Sequence, residues 1–339
     1  MKAETLKRAE TFVKNRQTMD KVFRLGNYLE NLAGTAVFLS KDEPVEEQKI
    51  RDCRKILQAH TSVFSMFRDY VEPAAVATLA VADDPEDMMD RGMNAYKTMK
   101  TKFGSSSYLP VAALTMAAHA EACQFEELTQ KARAIFDRMR KNHPFLTSSE
   151  DCAFCTLMAI MNCPEDAIIE ETEKCFKLLK EAFKDQLFMD GNALQALALV
   201  LALCEGTAED KCDRTMQLFR LMKDKKHKYG TSYELATLGA VAMSTEDYDS
   251  LSDEIIEVYE WLGEQKGFGF WSMLPSRQKL MYAALITMQE YRGEGNDHEE
   301  VGAAAAVSGI ISLVIAQEVA MYVAISTSMI HANSSSTSH

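Results

Sequence analysis

The sequence predicts an all-α fold: antiparallel helical hairpins of about 40 residues, stacked into an α/α solenoid or toroid-like array and followed by a long apolar C-terminal helix. Three observations carry this expectation. An aromatic-x-x-aliphatic step recurs at Tyr96/Met99, Phe136/Met139, Phe176/Leu179, Phe219/Met222 and Tyr259/Leu262, at intervals of 40, 40, 43 and 40 residues. Upstream of each step lies a segment that is apolar almost all round, as in residues 109–121, which marks a helix buried on more than one side. The segment holding the step is amphipathic instead. Over residues 126–140, Leu128, Ala132, Ile135, Phe136 and Met139 form one stripe with charges opposite.

Taken in order, residues 4–25 read as a leading helix with Leu6, Phe12, Val13, Met19, Val22 and Phe23 near one stripe, expected to cap the first hairpin. Six hairpins then tile residues 27–264, the first of them marked by a fainter copy of the step at Ile56 and Ala59. Within the hairpins the turns repeat their chemistry, as Glu43-Pro44, Asp84-Pro85-Glu86-Asp87, Cys163-Pro164-Glu165-Asp166, Thr207-Ala208-Glu209-Asp210 and Thr245-Glu246-Asp247. Proline at the first helical position and acids in the first turn suit the helix dipole, so these acidic clusters are start signals rather than metal sites. The connections between hairpins, at 60–72, 103–108, 143–150, 188–192, 229–234 and 267–276, are longer and richer in aromatic and hydroxyl residues. In a hairpin array they share one rim. Thr147-x-x-Glu150 and Thr231-x-x-Glu234 fit the capping box there.

A further apolar helix at 277–291 lacks a partner and ends the hairpin domain, residues 1–292. Residues 293–301 form a polar linker, 302–331 the apolar C-terminal helix, and 332–339 a Ser-rich tail expected to be disordered. Residues 302–330 hold no Lys or Arg and carry Glu318 near their centre. A carboxylate at that depth opposes membrane insertion by at least about 2.5–3.5 kcal/mol. Docking into the helical body is therefore expected, with membrane association through this segment as the alternative.

A formal net charge of −13 and the lack of any basic block of five residues argue against a nucleic-acid partner. Hydrophobic residues make up 47% of the chain, enough for a large core. Eight cysteines follow an N-terminus with no apolar leader, so reduced thiols and a cytoplasmic setting are expected. Cys152-x-x-Cys155 falls where other units hold Ala112 and Thr115 or Leu235 and Leu238, which makes it a packing pair. The seven histidines form no i, i+4 pair and no H-E-x-x-H, and Gly267-x-Gly269 lacks the strand and lysine of a phosphate loop, so neither metal nor cofactor is expected.

The rim combines rings and cations in polar surroundings, the composition enriched at binding hot spots. Its binding candidates are Arg68, Tyr70, Tyr108, His143, Tyr233, Trp271 and Arg277. His143 also stands beside Ser148, Ser149, Glu150 and Asp151, residue types that a nucleophilic site needs and that helix capping explains equally well. The acids a toroid enzyme could gather at its mouth are Glu72, Asp151, Asp190 and Glu234. The function expected is a non-catalytic binding or scaffold protein that takes a protein, peptide or small ligand on the rim or concave face. An α/α-toroid enzyme and a membrane-tethered protein are the alternatives.

Residues 143–151 (HPFLTSSED), 228–235 (KYGTSYEL), 265–270 (QKGFGF) and 278–283 (QKLMYA) resemble a bacterial family of about this length known only as a domain of unknown function. The likeness spans nearly the whole chain, including the Ala-rich C-terminal segment with its polar pair Gln317-Glu318. It implies a cytoplasmic protein of Gram-positive anaerobes, and it implies no activity, substrate or catalytic residue.

Overall fold

Two kinds of helix alternate along the chain. In the computed structural model, residues 1–291 are described apart from 25–27, 42, 70, 145, 148, 162–163, 187–190, 233, 270–271 and 273. Among the described residues there are fourteen α-helices, four short 3-10 segments and no strand. The even-numbered helices are α2 (Tyr28–Ala36), α4 (Glu72–Val81), α6 (Leu109–His119), α8 (Cys152–Ile160), α10 (Gly191–Ala202), α12 (Glu234–Ala242) and α14 (Ser276–Tyr291). They are rich in Ala and Leu and buried almost all round; all nine residues of α12 are buried. The odd-numbered helices are α1 (Ala3–Val22), α3 (Glu47–His60), α5 (Pro85–Phe103), α7 (Phe125–Asn142), α9 (Glu165–Ala182), α11 (Ala208–Asp224) and α13 (Tyr248–Glu264). Each buries one stripe and gives its charges to solvent, as the sequence pattern requires. The C-terminal helix expected over 302–331, its linker and its tail lie outside the described residues.

The expected start signals act as caps. Asp84 accepts the backbone N–H groups of Glu86 and Asp87, Thr207 that of Asp210, and Asp247 that of Ser250. The capping boxes expected at Thr147/Glu150 and Thr231/Glu234 include positions outside the described residues, the Glu150 side chain and Tyr233. A 3-10 turn, Ser149–Asp151, precedes α8, whose N-cap is Asp151, and Thr147 Oγ1 accepts from Gln195 Nε2 at 3.2 Å. Helix α12 begins at Glu234 itself.

Odd helices pack on odd helices in chain order from α1 to α13, and even helices pack beside them, α2 on α4, α4 on α6, α6 on α8, α10 on α12 and α12 on α14. The last step is one the sequence does not reveal: α1 also lies against α13 and α14. Phe12 meets Tyr282 and Phe268 at ring-centroid distances of 5.5 and 6.1 Å. Arg16 donates to the Gly267 carbonyl at 2.7 Å and lies 4.3 Å over the Phe268 ring. At the other end Glu254 accepts from the Lys2 backbone at 2.8 Å and from the Tyr291 hydroxyl at 2.9 Å. The leading helix therefore serves the last hairpin as well as the first, and gives α14 a neighbour that its own sequence does not specify.

Of the five marker rings, Phe136, Phe176 and Phe219 are buried and Tyr96 and Tyr259 half-buried, while all five aliphatic partners are buried. Each marker meets one ring from the unit before it. The pairs are Phe67–Tyr96, Phe103–Phe136, His143–Phe176, Phe183–Phe219 and His227–Tyr259, with centroids 4.7–5.7 Å apart. A second regularity ties the two helix types together. Arg91, Lys131 and Arg214 donate to Ala120, Ala159 and Ala242, carbonyls at the C-terminal ends of α6, α8 and α12. In α9 the corresponding place is Glu171, so Lys211 takes over. It is buried, pairs with Glu171 at 2.7 Å and donates to the Cys204 carbonyl beyond α10 at 3.0 Å.

Candidate functional site

The α1–α2 and α3–α4 connections bound a cavity of about 740 Å³. Five cations line it, Lys21, Arg24, Arg51, Arg54 and Arg68, against three acids, Glu30, Asp69 and Glu72. The volume falls in the range of roughly 300–1,000 Å³ typical of small-ligand sites. In a chain of net charge −13, this is a local reversal of sign.

All five cations have partners, of different kinds; Lys21 stands 3.9 Å from Glu47. Arg54 is a strut: Nε and Nη2 donate to the two Glu72 oxygens at 2.9 and 3.2 Å, and Nη1 donates to the Val22 carbonyl at 3.1 Å. Its guanidinium also covers the Phe23 ring at 4.7 Å, so one side chain joins the ends of α1 and α4 to α3. Arg51 pairs with Glu47 at 2.6 Å, and that hydrogen bond holds the Glu47 carboxyl below its usual range. Arg68 satisfies the open end of α3, donating to Thr61 Oγ1 at 3.0 Å, to the Thr61 carbonyl at 2.6 Å and to the Gln58 carbonyl. Arg24 donates to the Lys21 carbonyl at 3.2 Å. Among the described residues neither Arg24 nor Arg68 is paired with a carboxylate.

The other rim candidates are spread over separate connections. Tyr108 is half-buried immediately before α6. His143 packs on Phe176 and sets Nε2 2.9 Å from Glu173 Oε1, so it belongs to the repeated ring pairs. Arg277, at the start of α14, places Nε 2.8 Å from Glu234 Oε1. Tyr70, Tyr233 and Trp271 lie outside the described residues. Hence Arg68 enters the cleft, whereas Tyr108, His143 and Arg277 stand elsewhere on the rim. Of the nominated acids, Glu72 is held by Arg54, Asp151 precedes α8, Glu234 opens α12, and Asp190 lies outside the described residues.

Glu234 is fully buried, and desolvation pushes its carboxyl up against the downward pull of Arg277. Gly230 makes the room, since a Cβ there would fall 2.6 Å from that carboxylate. The Cys152 and Cys155 thiols are fully buried, and desolvation pushes both far up, as suits packing groups. Among the described residues no group of three His, Cys, Asp or Glu side chains could hold a metal ion, and no helix is long and apolar enough to cross a membrane.

Of the five cleft cations the sequence pointed to Arg68 and not to Lys21, Arg24, Arg51 or Arg54. A signal was present: Lys21/Arg24 and Arg51/Arg54 are both i, i+3 pairs, which puts two cations on one face of each of two consecutive outer helices or their ends. The fold and cleft define an all-helical protein with a cationic pocket between its α1–α2 and α3–α4 connections. The chain belongs to the family described as "Protein of unknown function (DUF4003)", whose model matches residues 17–319. No curated protein and no solved structure matches it.

Proposed function

We propose that this chain is a non-catalytic binding protein, a ring of α/α hairpins closed by α1 against α13 and α14, which holds an anionic ligand in the rim cleft. The observation that carries this reading is the charge of the cleft. Five cations face three acids, and Arg24 and Arg68 have no carboxylate partner among the described residues. Packing of each odd helix on the next, and of α1 on both ends of the series, supports the ring. A ring suits this role because each pocket wall is fixed by neighbours on both sides. The setting that goes with this reading is the cytoplasm of a bacterium. Titration calorimetry of the full chain against phosphate, pyrophosphate and citrate tests it. At least one should bind, and Arg24→Glu should abolish that binding; heats absent throughout, or indifferent to the substitution, would refute the reading.

One observation favours an α/α-toroid enzyme as a second reading. Glu234 is a buried carboxyl with a raised pKa at the same rim, the property of a general acid. Its pairing with Arg277 at 2.8 Å speaks for a structural role. Turnover of any substrate in a hydrolase panel, lost in Glu234→Gln, would shift the assignment to catalysis.

A further inference from the structure

The loop between α3 and α4 presents an apolar tip beside the cationic cleft. Val63 and Phe64 are 69% and 92% exposed, and among the described residues only Met1 joins them as an exposed large hydrophobic. Isolated exposed apolar residues are ordinary. An adjacent pair on a braced turn is different. The Ser65 N–H closes the turn on the Ser62 carbonyl at 3.0 Å, Ser65 Oγ accepts the Phe67 N–H, and the Phe67 ring is buried against Tyr96. Arg68 binds the base of the loop at Thr61 and also lines the cleft, so tip and cavity are parts of one corner.

We propose that this corner docks on an anionic phospholipid surface, with a headgroup phosphate in the cleft and Val63 and Phe64 in the acyl boundary. The proposal rests on the reading of the cleft as an anion site. A fixed apolar tip gains by leaving water, and guanidinium groups beside it suit phosphate geometry. The chain's net charge of −13 does not forbid the contact. At physiological ionic strength the screening length is about 8 Å, so acids on the far sides of the body act weakly on a membrane touching this corner. At the corner itself, five cations outnumber the three acids that line the cleft; Glu72 is already held by Arg54, Glu47 by Arg51, and Glu86 and Asp90 at the base of the loop stand against His60.

The test uses the full chain in two parallel measurements: flotation with phosphatidylcholine vesicles, with or without phosphatidylglycerol, and calorimetry with inorganic pyrophosphate. Binding to the anionic vesicles and not to phosphatidylcholine alone is expected, together with pyrophosphate binding. Phe64→Ser should weaken vesicle binding roughly tenfold, from lost apolar burial, and leave pyrophosphate binding unchanged. Arg24→Ala should weaken vesicle binding about fivefold, the effect of one cation near an anionic surface, and pyrophosphate binding in the same direction. Pyrophosphate binding without vesicle binding would overturn the docking proposal and leave the anion site standing, with a soluble ligand as its occupant. Vesicle binding that survives both substitutions would place the contact elsewhere in the chain and overturn the proposal. Absence of both would overturn the docking and the anion site together.

Discussion

Two corners of the molecule set an arginine against a glutamate, and their surroundings use the pair in opposite ways. At one, Arg54 grips Glu72 with two hydrogen bonds, both side chains keep some solvent, and Lys21, Arg24, Arg51 and Arg68 stand around them. At the other, Arg277 reaches Glu234 through Nε, with the carboxylate at 0% exposure and the arginine side chain at 45%. The first pair leaves surplus positive charge facing an open cavity. The second leaves a desolvated acid behind a half-exposed cation. An Arg–Glu pair is therefore no mark of a site in itself: neighbouring charge and burial decide whether it borders an open cationic cavity or seals a seam.

The comparison assumes one helical frame beneath both corners, and the largest effect comes from breaking that frame. Phe136 packs on Phe103, away from either pair, and Phe136→Ala should cost about 3–5 kcal/mol in chemical denaturation. A loss under about 1 kcal/mol would mean that this ring is not an anchor of the common core. The next test attacks the sealed pair. Arg277→Ala should cost about 2 kcal/mol, short of the roughly 3–5 kcal/mol of a fully buried pair, because the guanidinium is half exposed and the orphaned carboxyl can take up a proton. Arg54→Ala should cost about the same or slightly less, since Glu72 keeps access to water. If Arg54→Ala proves far more damaging than Arg277→Ala, burial does not govern the contrast.

Titration separates the sealed corner from the seam formed by α1. Burial raises the Glu234 carboxyl in the folded state, so the folded chain holds this proton more tightly than the unfolded one. Its contribution is favourable below the unfolded carboxylate pKa and is lost as pH rises through the raised folded value. Glu254 has the opposite sign. Burial raises it, but hydrogen bonds from the Lys2 N–H and the Tyr291 hydroxyl and the charge of Lys2 outweigh that and leave the carboxyl lowered. Its stabilisation is complete above the unfolded pKa and disappears as pH falls through the folded value. Denaturation midpoints measured from pH 3 to 8 should show Glu234→Gln removing a loss on the alkaline side of the carboxylate range. Glu254→Gln should remove a loss on its acid side.

The smallest stability effect belongs to the open corner. Arg24→Glu should change stability by no more than about 0.5 kcal/mol, as for an exposed side chain outside the core, while abolishing anion binding. A large destabilisation would make Arg24 part of the frame and remove the contrast between the corners.

The sequence by itself determined the alternation of buried and amphipathic helices, their approximate bounds and the start signals between them. Leading helix 4–25 corresponds to Ala3–Val22, and the extra helix 277–291 to Ser276–Tyr291. These features are legible because helical periodicity and capping act over a few residues, so each is written where it acts. Arg68 was legible as a rim cation, but its role beside Arg24 was not, since the two come together only when α1, α3 and α4 pack. The ring partners of the marker residues, such as His143 for Phe176, also stayed hidden. A histidine among hydroxyls and acids reads locally as chemistry, and only the neighbouring helix shows that it packs on Phe176 and faces Glu173. Tertiary structure alone brought Arg16 to Gly267 and Phe12 to Tyr282 across more than 250 residues. No local pattern encodes such a meeting: the stripe on α1 specifies that it must be buried, whereas the shape and polarity of the assembled end of the series select the surface that buries it.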